Sequence, residues 1–220
     1  MRPLKSLRAT RPLFLAVLTA AITGCASAPT QYYTLATQNG EDALVQGEAP
    51  FGLNVHDVTV PDAVDKAQLM IRQSADSAAV VPLNGSRWAG SLQDEIQKTL
   101  SANLVSRLGA INVQGVAGND ERLPIWLVQA TFHRFDMVLN KAAVIDVTWR
   151  IRPVRVASRT GDVCQTRIQV PAGKGVDGLV VSQSKAIALL SDVIAGAIDH
   201  RTQVRASEGA QVQSLGCHPG

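Results

Sequence analysis

The chain has 220 residues, 46% of them hydrophobic, with 21 Lys+Arg against 18 Asp+Glu. The basic excess sits at the start: Arg2, Lys5, Arg8 and Arg11 fall in the first 24 residues with no acidic partner, so residues 25–220 hold 17 basic and 18 acidic residues. With that balance, no Lys/Arg-rich run and only four Phe and two Tyr, nucleic-acid binding lacks both its electrostatic footprint and its stacking surface.

Residues 1–24 read as a secretory signal: a basic segment, the uncharged apolar run Leu13–Thr23, then Ile22-Thr23-Gly24 before Cys25. The apolar run is 11 residues, short of the roughly 18 that a spanning helix needs. A cysteine directly after the small residue resembles a bacterial lipoprotein signal, with Cys25 as the lipid attachment site and the mature N-terminus. The remaining 196 residues suit one domain with a real core. Residues 25–30 form a lipidated N-terminus and tether; five extended residues reach only ~17 Å. One acyl chain binds a membrane marginally, so lasting attachment needs several.

A single domain is expected over 31–203. Gln31–Thr37 reads as a strand and Gln38–Pro50 as a polar loop. Phe51–Val60 alternates as a strand with a phase change near His56-Asp57, the mark of a bulge, and Pro61-Asp62 ends it. Gln68–Gln73 is a third strand and Ala78–Leu83 a short extended piece, with Asn84-Gly85 as a hairpin-type turn. Ser86–Gly109 predicts a helix, from Trp88, Leu92, Ile96, Leu100, Leu104 and Leu108 at i+4, with Gly109 as its stop. Ile111–Val116 is a short strand. Pro124–Leu139 and Ala143–Ile151 form a long hairpin turning at Asn140-Lys141. In the second arm Ala143, Ile145, Val147, Trp149 and Ile151 face the core, and Val144, Asp146, Thr148 and Arg150 face water. Asp162–Val170 returns as another strand, Gly178–Arg201 is a second amphipathic helix, and residues 204–220 form a polar, loose tail. The implied fold is α+β: a two-layer sandwich, mainly antiparallel sheet with two amphipathic helices packed on one face.

Two cysteines remain after Cys25. In an oxidising compartment a disulfide between Cys164 and Cys217 is favoured and would pin the tail to the sheet; two unpaired thiols are the alternative.

Several motifs suggest chemistry that their context denies. Gly173-Lys-Gly175-Val-Asp-Gly178 matches GxGxxG, with Asp199 about twenty residues on. However, Asp199 falls inside the helix and no strand is expected to follow, so the βαβ unit is missing and a Gly-rich flexible connector is the reading. Ser182-Gln-Ser184-Lys185 gives SxxK without the SDN and KTG partners of the penicillin-binding enzymes. The histidines (His56, His133, His200, His218) have no metal-ligand spacing, and His133 reads as a solvated strand residue. Asp62 and Asp65, flanking Ala63-Val64 after a strand, read as paired acids or, at least as well, as turn residues. No catalytic residue, cofactor or metal site is expected, and the chain is not read as an enzyme.

Tyr32-Tyr33-Thr34-Leu35 soon after the lipidated cysteine, the run Val58-Thr-Val60-Pro61-Asp62-Ala63-Val64-Asp65-Lys66-Ala67-Gln68-Leu69-Met70-Ile71-Arg72, and Trp88-Ala89 followed by Leu92, Ile96, Leu100 and Asn103-Leu104 together resemble the PqiC/YmbA lipoproteins, also called ABC-type transport auxiliary lipoprotein components. The resemblance covers Cys25 to Arg201; the segment with Cys217 is outside it, so the disulfide draws no support from it. It implies an accessory subunit of an Mce-type ABC lipid transport system, held on the outer membrane by acyl chains. Such a subunit docks or caps a periplasmic tunnel through an Mce-domain partner, in some cases as a ring of copies, and supports envelope integrity. Ala26 is not the aspartate that retains lipoproteins on the inner membrane. A stand-alone periplasmic lipid- or ligand-binding lipoprotein is the alternative.

Overall fold

A computed structural model describes residues 29–37, 51–74, 76–115, 123–156, 159–200 and 209–219. The expected signal peptide, Cys25, most of the tether and the loop Gln38–Pro50 lie outside them. Among the described residues are strands β1 (Gln31–Tyr33), β2 (Gly52–Thr59), β3 (Gln68–Ile71), β4 (Val81–Trp88), β5 (Ile111–Asn112), β6 (Ile125–Val138), β7 (Ala142–Val154), β8 (Asp162–Pro171) and β9 (Gln211–Pro219). The helices are α1 (Leu92–Leu108) and α2 (Gly175–Ile198).

The long hairpin organises the molecule. β6 and β7 pair antiparallel from Ile125↔Val154 to Val138↔Ala142, turning through Asn140 at φ 56°, a left-handed position that asparagine tolerates. A register shift at His133 re-phases β6, so Phe135 and Met137 continue the apolar face begun by Trp126, Val128, Ala130 and Phe132. On either side the sheet extends in the order β5-β2-β6-β7-β8-β9, and a smaller sheet has the order β1-β4-β3. Leu53 and Val55 of β2, Val147, Trp149 and Ile151 of β7, and Ile168 of β8 fall on the same apolar face by register. Helix α1 packs on β2, α2 packs on β7 and β8, and the helices pack on each other. The result is an α+β sandwich.

Helix α1 carries its own start and stop signals. Ser91 caps α1, its hydroxyl accepting from Asp94 N–H, and Gly109 ends it in the left-handed region at φ 61°. Leu92, Ile96, Leu100, Leu104 and Leu108 are all buried. By length and composition α2 could cross a membrane, but 72% of its apolar window is buried within the domain, which marks a core helix.

Four expectations need correction. Helix α1 begins at Leu92 rather than Ser86: Ser86 and Trp88 are buried and Arg87 between them exposed, a period of two that belongs to β4. Asn84-Gly85 is therefore inside a strand, with Gly85 at φ 80°, and not a hairpin turn. The large sheet is mainly antiparallel, as expected, with β2 paired parallel to β6 and β5; between β2 and β6 the chain crosses over through α1, as parallel neighbours require. The C-terminal segment is not loose over its length: Gln211–Pro219 is β9, antiparallel to β8. Finally, the water-facing side of β7 is buried at Val144 and Asp146 and opens only from Thr148 onward.

Strand β9 buries almost nothing; of its residues only Val212 is even half-covered. It is held by its backbone ladder to β8 and by the Cys164–Cys217 disulfide, whose cysteines are direct register partners. Closing a loop with a sequence separation of 53 is worth about 4 kcal/mol in the chain-entropy account. Cys217→Ser is expected to lower stability by up to about that amount in urea titrations, and wild-type protein under reductant should match the variant. Equal stability of oxidised wild type and variant would remove the disulfide from the account.

Candidate functional site

The residues singled out for chemistry are placed as follows. Cys25 lies outside the described residues. Ser182 is buried, its hydroxyl within 2.9 Å of the carbonyls of Pro171 and Gly178, while Lys185 is exposed on the next turn. The two are not hydrogen-bonded, and the serine hydroxyl is committed to backbone. The glycine-rich connector is packed rather than flexible. A Cβ on Gly178 would meet the backbone carbon of Gly173 at 2.5 Å, and Gly175, at φ 72°, donates its N–H to Asn140 Oδ1 at 2.8 Å. Those glycines bring the start of α2 against the end of β8. A strand does follow α2, contrary to expectation, but β9 is antiparallel to β8, so no dinucleotide-binding βαβ unit results.

Asp65 accepts from Gln93 Nε2 at 3.2 Å, and Pro61 O accepts from Val64 and Asp65 N–H, the turn role expected of Asp62 and its neighbour. His133 is exposed and lies 2.8 Å from Thr148 Oγ1. Among the described residues no group of three His, Cys, Asp or Glu side chains is placed to hold a metal ion.

Two arrangements that the linear chain does not display are assembled by the fold. The first is the root of the N-terminal segment. Tyr33 donates its hydroxyl to Asp177 in the first turn of α2 at 3.0 Å. Leu35 N–H reaches Glu95 of α1 at 3.1 Å, Leu35 O accepts from Thr99, and Ala36 N–H reaches Ser184 of α2 at 3.0 Å. The segment is thus bonded to both helices within four residues, with Leu35 in the core. Desolvation and the adjoining Asp177 carboxylate hold the Tyr33 phenol above its ordinary value.

The second is the face of the large sheet opposite the helices, which carries charge. Asp136 is held by Arg72 at 2.8 Å and by Arg134. Asp146 takes Arg167 at 2.7 Å and Gln165 at 2.9 Å. Toward β2 the face dips into a groove of about 280 Å³ lined by Asp57, Thr59, Gln129, Thr131, Thr148, Arg150 and Val163. Asp57 sits on the β2 bulge at φ 49°, and its Oδ2 accepts from Gln129 at 2.8 Å and pairs with His56 at 2.9 Å. Those partners hold its carboxyl below the ordinary value. The alternation of β7 already placed Thr148 and Arg150 on this face; their companions from β2 and β6 follow from cross-strand register, which no local pattern carries.

A family model described as ABC-type transport auxiliary lipoprotein component matches residues 33–195. No curated protein matches the chain in sequence. Among solved structures the chain is similar to an uncharacterized protein, at 22% identity and a TM-score of 0.59, over 77% of this chain and 99% of that one. It is also similar to protein XCC0632 from Xanthomonas campestris, of family DUF330, at 10% identity and a TM-score of 0.51, over 79% of this chain and all of that one. At these identities the solved structures bear on the fold alone.

Burial pushes the Asp146 carboxyl up, but hydrogen bonds from Gln165 and Arg167, with the arginine charge, outweigh it and leave its pKa below the ordinary 3.8. A carboxyl depressed in the folded state contributes stability above its unfolded pKa and loses it as pH falls through the folded one. Asp146→Asn should therefore lower Tm most near neutral pH, with the gap to wild type closing below about pH 4; a constant gap would refute the assignment. Gly178→Ala is expected to cost about 1–3 kcal/mol, since the atom it meets is backbone and cannot swing aside, and denaturant unfolding measures it.

Proposed function

The chain belongs to the family of ABC-type transport auxiliary lipoprotein components, and on that premise we propose that it is a lipid-anchored, non-catalytic subunit of an Mce-type lipid transporter. In this reading Cys25 carries the acyl chains. Ala26 in the following position favours the outer membrane, and the domain stands on the periplasmic face, where it docks an Mce-domain protein of the transport tunnel and supports envelope integrity. The single observation that carries the reading is the family match over residues 33–195, which covers most of the folded domain and supplies both words of the role, lipoprotein and transport auxiliary.

The structure supports it in three ways. The segment that leaves the expected anchor is bonded to both helices by Ala36, so a domain on this tether is held close to its membrane. The Ser182 hydroxyl is bonded to backbone carbonyls and Lys185 stands apart in solvent, which suits a binding role rather than covalent chemistry. The Cys164–Cys217 disulfide fits an oxidising compartment.

Radiolabelled palmitate should enter the wild-type chain and not Cys25→Ser, and the variant should leave the membrane fraction. In-cell crosslinking of the wild type should capture an Mce-domain protein. Palmitate incorporation without any such capture would leave the anchor and sink the transporter role; failure of incorporation would sink both.

A further inference from the structure

The groove on the open sheet face has opposite charges at its two ends. In register, His56, Gln129, Arg150 and Val163 form one row across β2, β6, β7 and β8, and Asp57 is the extra residue of the bulge next to His56. Gln129 thus stands between Asp57 on one side and Arg150 on the other. The next row supplies hydroxyls, Thr59, Thr131 and Thr148. Strands β2 and β7 are two strand spacings apart, ~9.6 Å.

The charges here differ from those elsewhere on the face. Asp136 and Asp146 each face a guanidinium. Asp57 has none. Its two hydrogen bonds both fall on Oδ2, which leaves Oδ1 as an acceptor, and its carboxyl is held below the ordinary value, so it stays ionised. Arg150 is exposed and forms no hydrogen bond or ion pair among the described residues. A bulge that lifts one side chain out of the regular alternation is a recurrent feature beside binding sites.

We propose that this groove binds a small zwitterion of the phosphoethanolamine type, a phosphate ester with an ammonium two carbons away. The Arg150 guanidinium and the Thr131 hydroxyl take the phosphate oxygens, joined by the Thr148 hydroxyl when His133 Nε2, 2.8 Å away, donates to it, and Asp57 Oδ1 takes the ammonium. A lone anion is disfavoured by Asp57 and a lone cation by Arg150. An α-amino acid carboxylate has two acceptor oxygens against the phosphate's three, fewer for the donors grouped near Arg150. The inference stands on the groove and does not rest on the transporter reading.

Isothermal titration of the full-length lipoprotein in an uncharged sugar detergent tests it, with phosphoethanolamine, glycerophosphoethanolamine, inorganic phosphate and ethanolamine as separate titrants. The expected result is saturable binding of one or both esters, at least about tenfold tighter than phosphate or ethanolamine. Arg150→Gln and Asp57→Asn should each weaken it by about tenfold or more, with unchanged circular dichroism. Binding of the glycerol diester, together with capture by vesicles containing phosphatidylethanolamine and not by phosphatidylglycerol alone, identifies a lipid headgroup. Binding of the monoester alone identifies a free metabolite; either result upholds the site. No saturable binding, binding indifferent to Asp57→Asn, or equal capture by phosphatidylglycerol overturns it. None of these outcomes touches acylation or crosslinking, so the two readings fail separately.

Discussion

The two-residue alternation of the β6–β7 hairpin, re-phased once at His133, is the constraint from which the rest of the domain follows. Thirteen register pairs keep Val128, Ala130, Phe132, Val147, Trp149 and Ile151 on one side. Slipping either strand by one residue would carry that whole set to the other side. Because the apolar side is continuous into β2 and β8, both helices must lie there, and the opposite side carries the charged and hydroxyl side chains, with Val138 and Val144 buried beside them. Within the core Trp149 Nε1 donates to Thr166 Oγ1 at 3.0 Å, which satisfies the indole of one of the largest fully buried side chains.

The helical layer is less uniformly apolar than the sheet side it covers. Glu95, Thr99, Ser101 and Asn103 of α1 and Ser182, Gln183, Ser184 and Ser191 of α2 are all buried. Most of them serve backbone groups: Gln183 Nε2 donates to Asp136 O, Thr99 to Leu35 O, and Ser191 back to Ile187 O. Polar side chains in this layer are what allow Leu35 to enter the core with its amide and carbonyl paired, since unpaired backbone groups there would be costly. Arg107 joins the two helices, reaching Asp192 and the Ala188 carbonyl.

Most of the fold was legible because burial on one side of an element leaves a periodic trace. β7, the Leu92–Leu108 stripe and the bulge at Asp57 were readable for that reason. The errors fall where that trace is absent or doubled. Trp88 stands four residues before Leu92, so it extends the helical stripe and equally ends the alternation Ser86-Arg87-Trp88; Ser91, with Asp94 three residues on, was the capping signal that separates the two. β9 has no apolar side to advertise and is held by backbone and one sulfur bridge, so Cys217 was its only mark. The groove was the least legible of all: Asp57, Gln129 and Arg150 lie on three strands, and only the register brings them into one row. Lys185, by contrast, sits at a motif spacing from Ser182 but points to solvent while the serine turns inward, because spacing along a helix fixes neither burial nor hydrogen-bond partner.

The parallel pairing of β1 with β4, Gln31↔Ser86 to Tyr33↔Trp88, has a mechanical meaning. A force entering at the chain's front end and directed along β1 loads the ladder in shear: its hydrogen bonds bear the strain together instead of parting one after another like a zipper. The clasp of Leu35 and Ala36 by Glu95, Thr99 and Ser184 lies behind that ladder as a second stop. A pull on the backbone at Gln31 is thereby resisted by β1 and its clasp before it can disturb the large sheet.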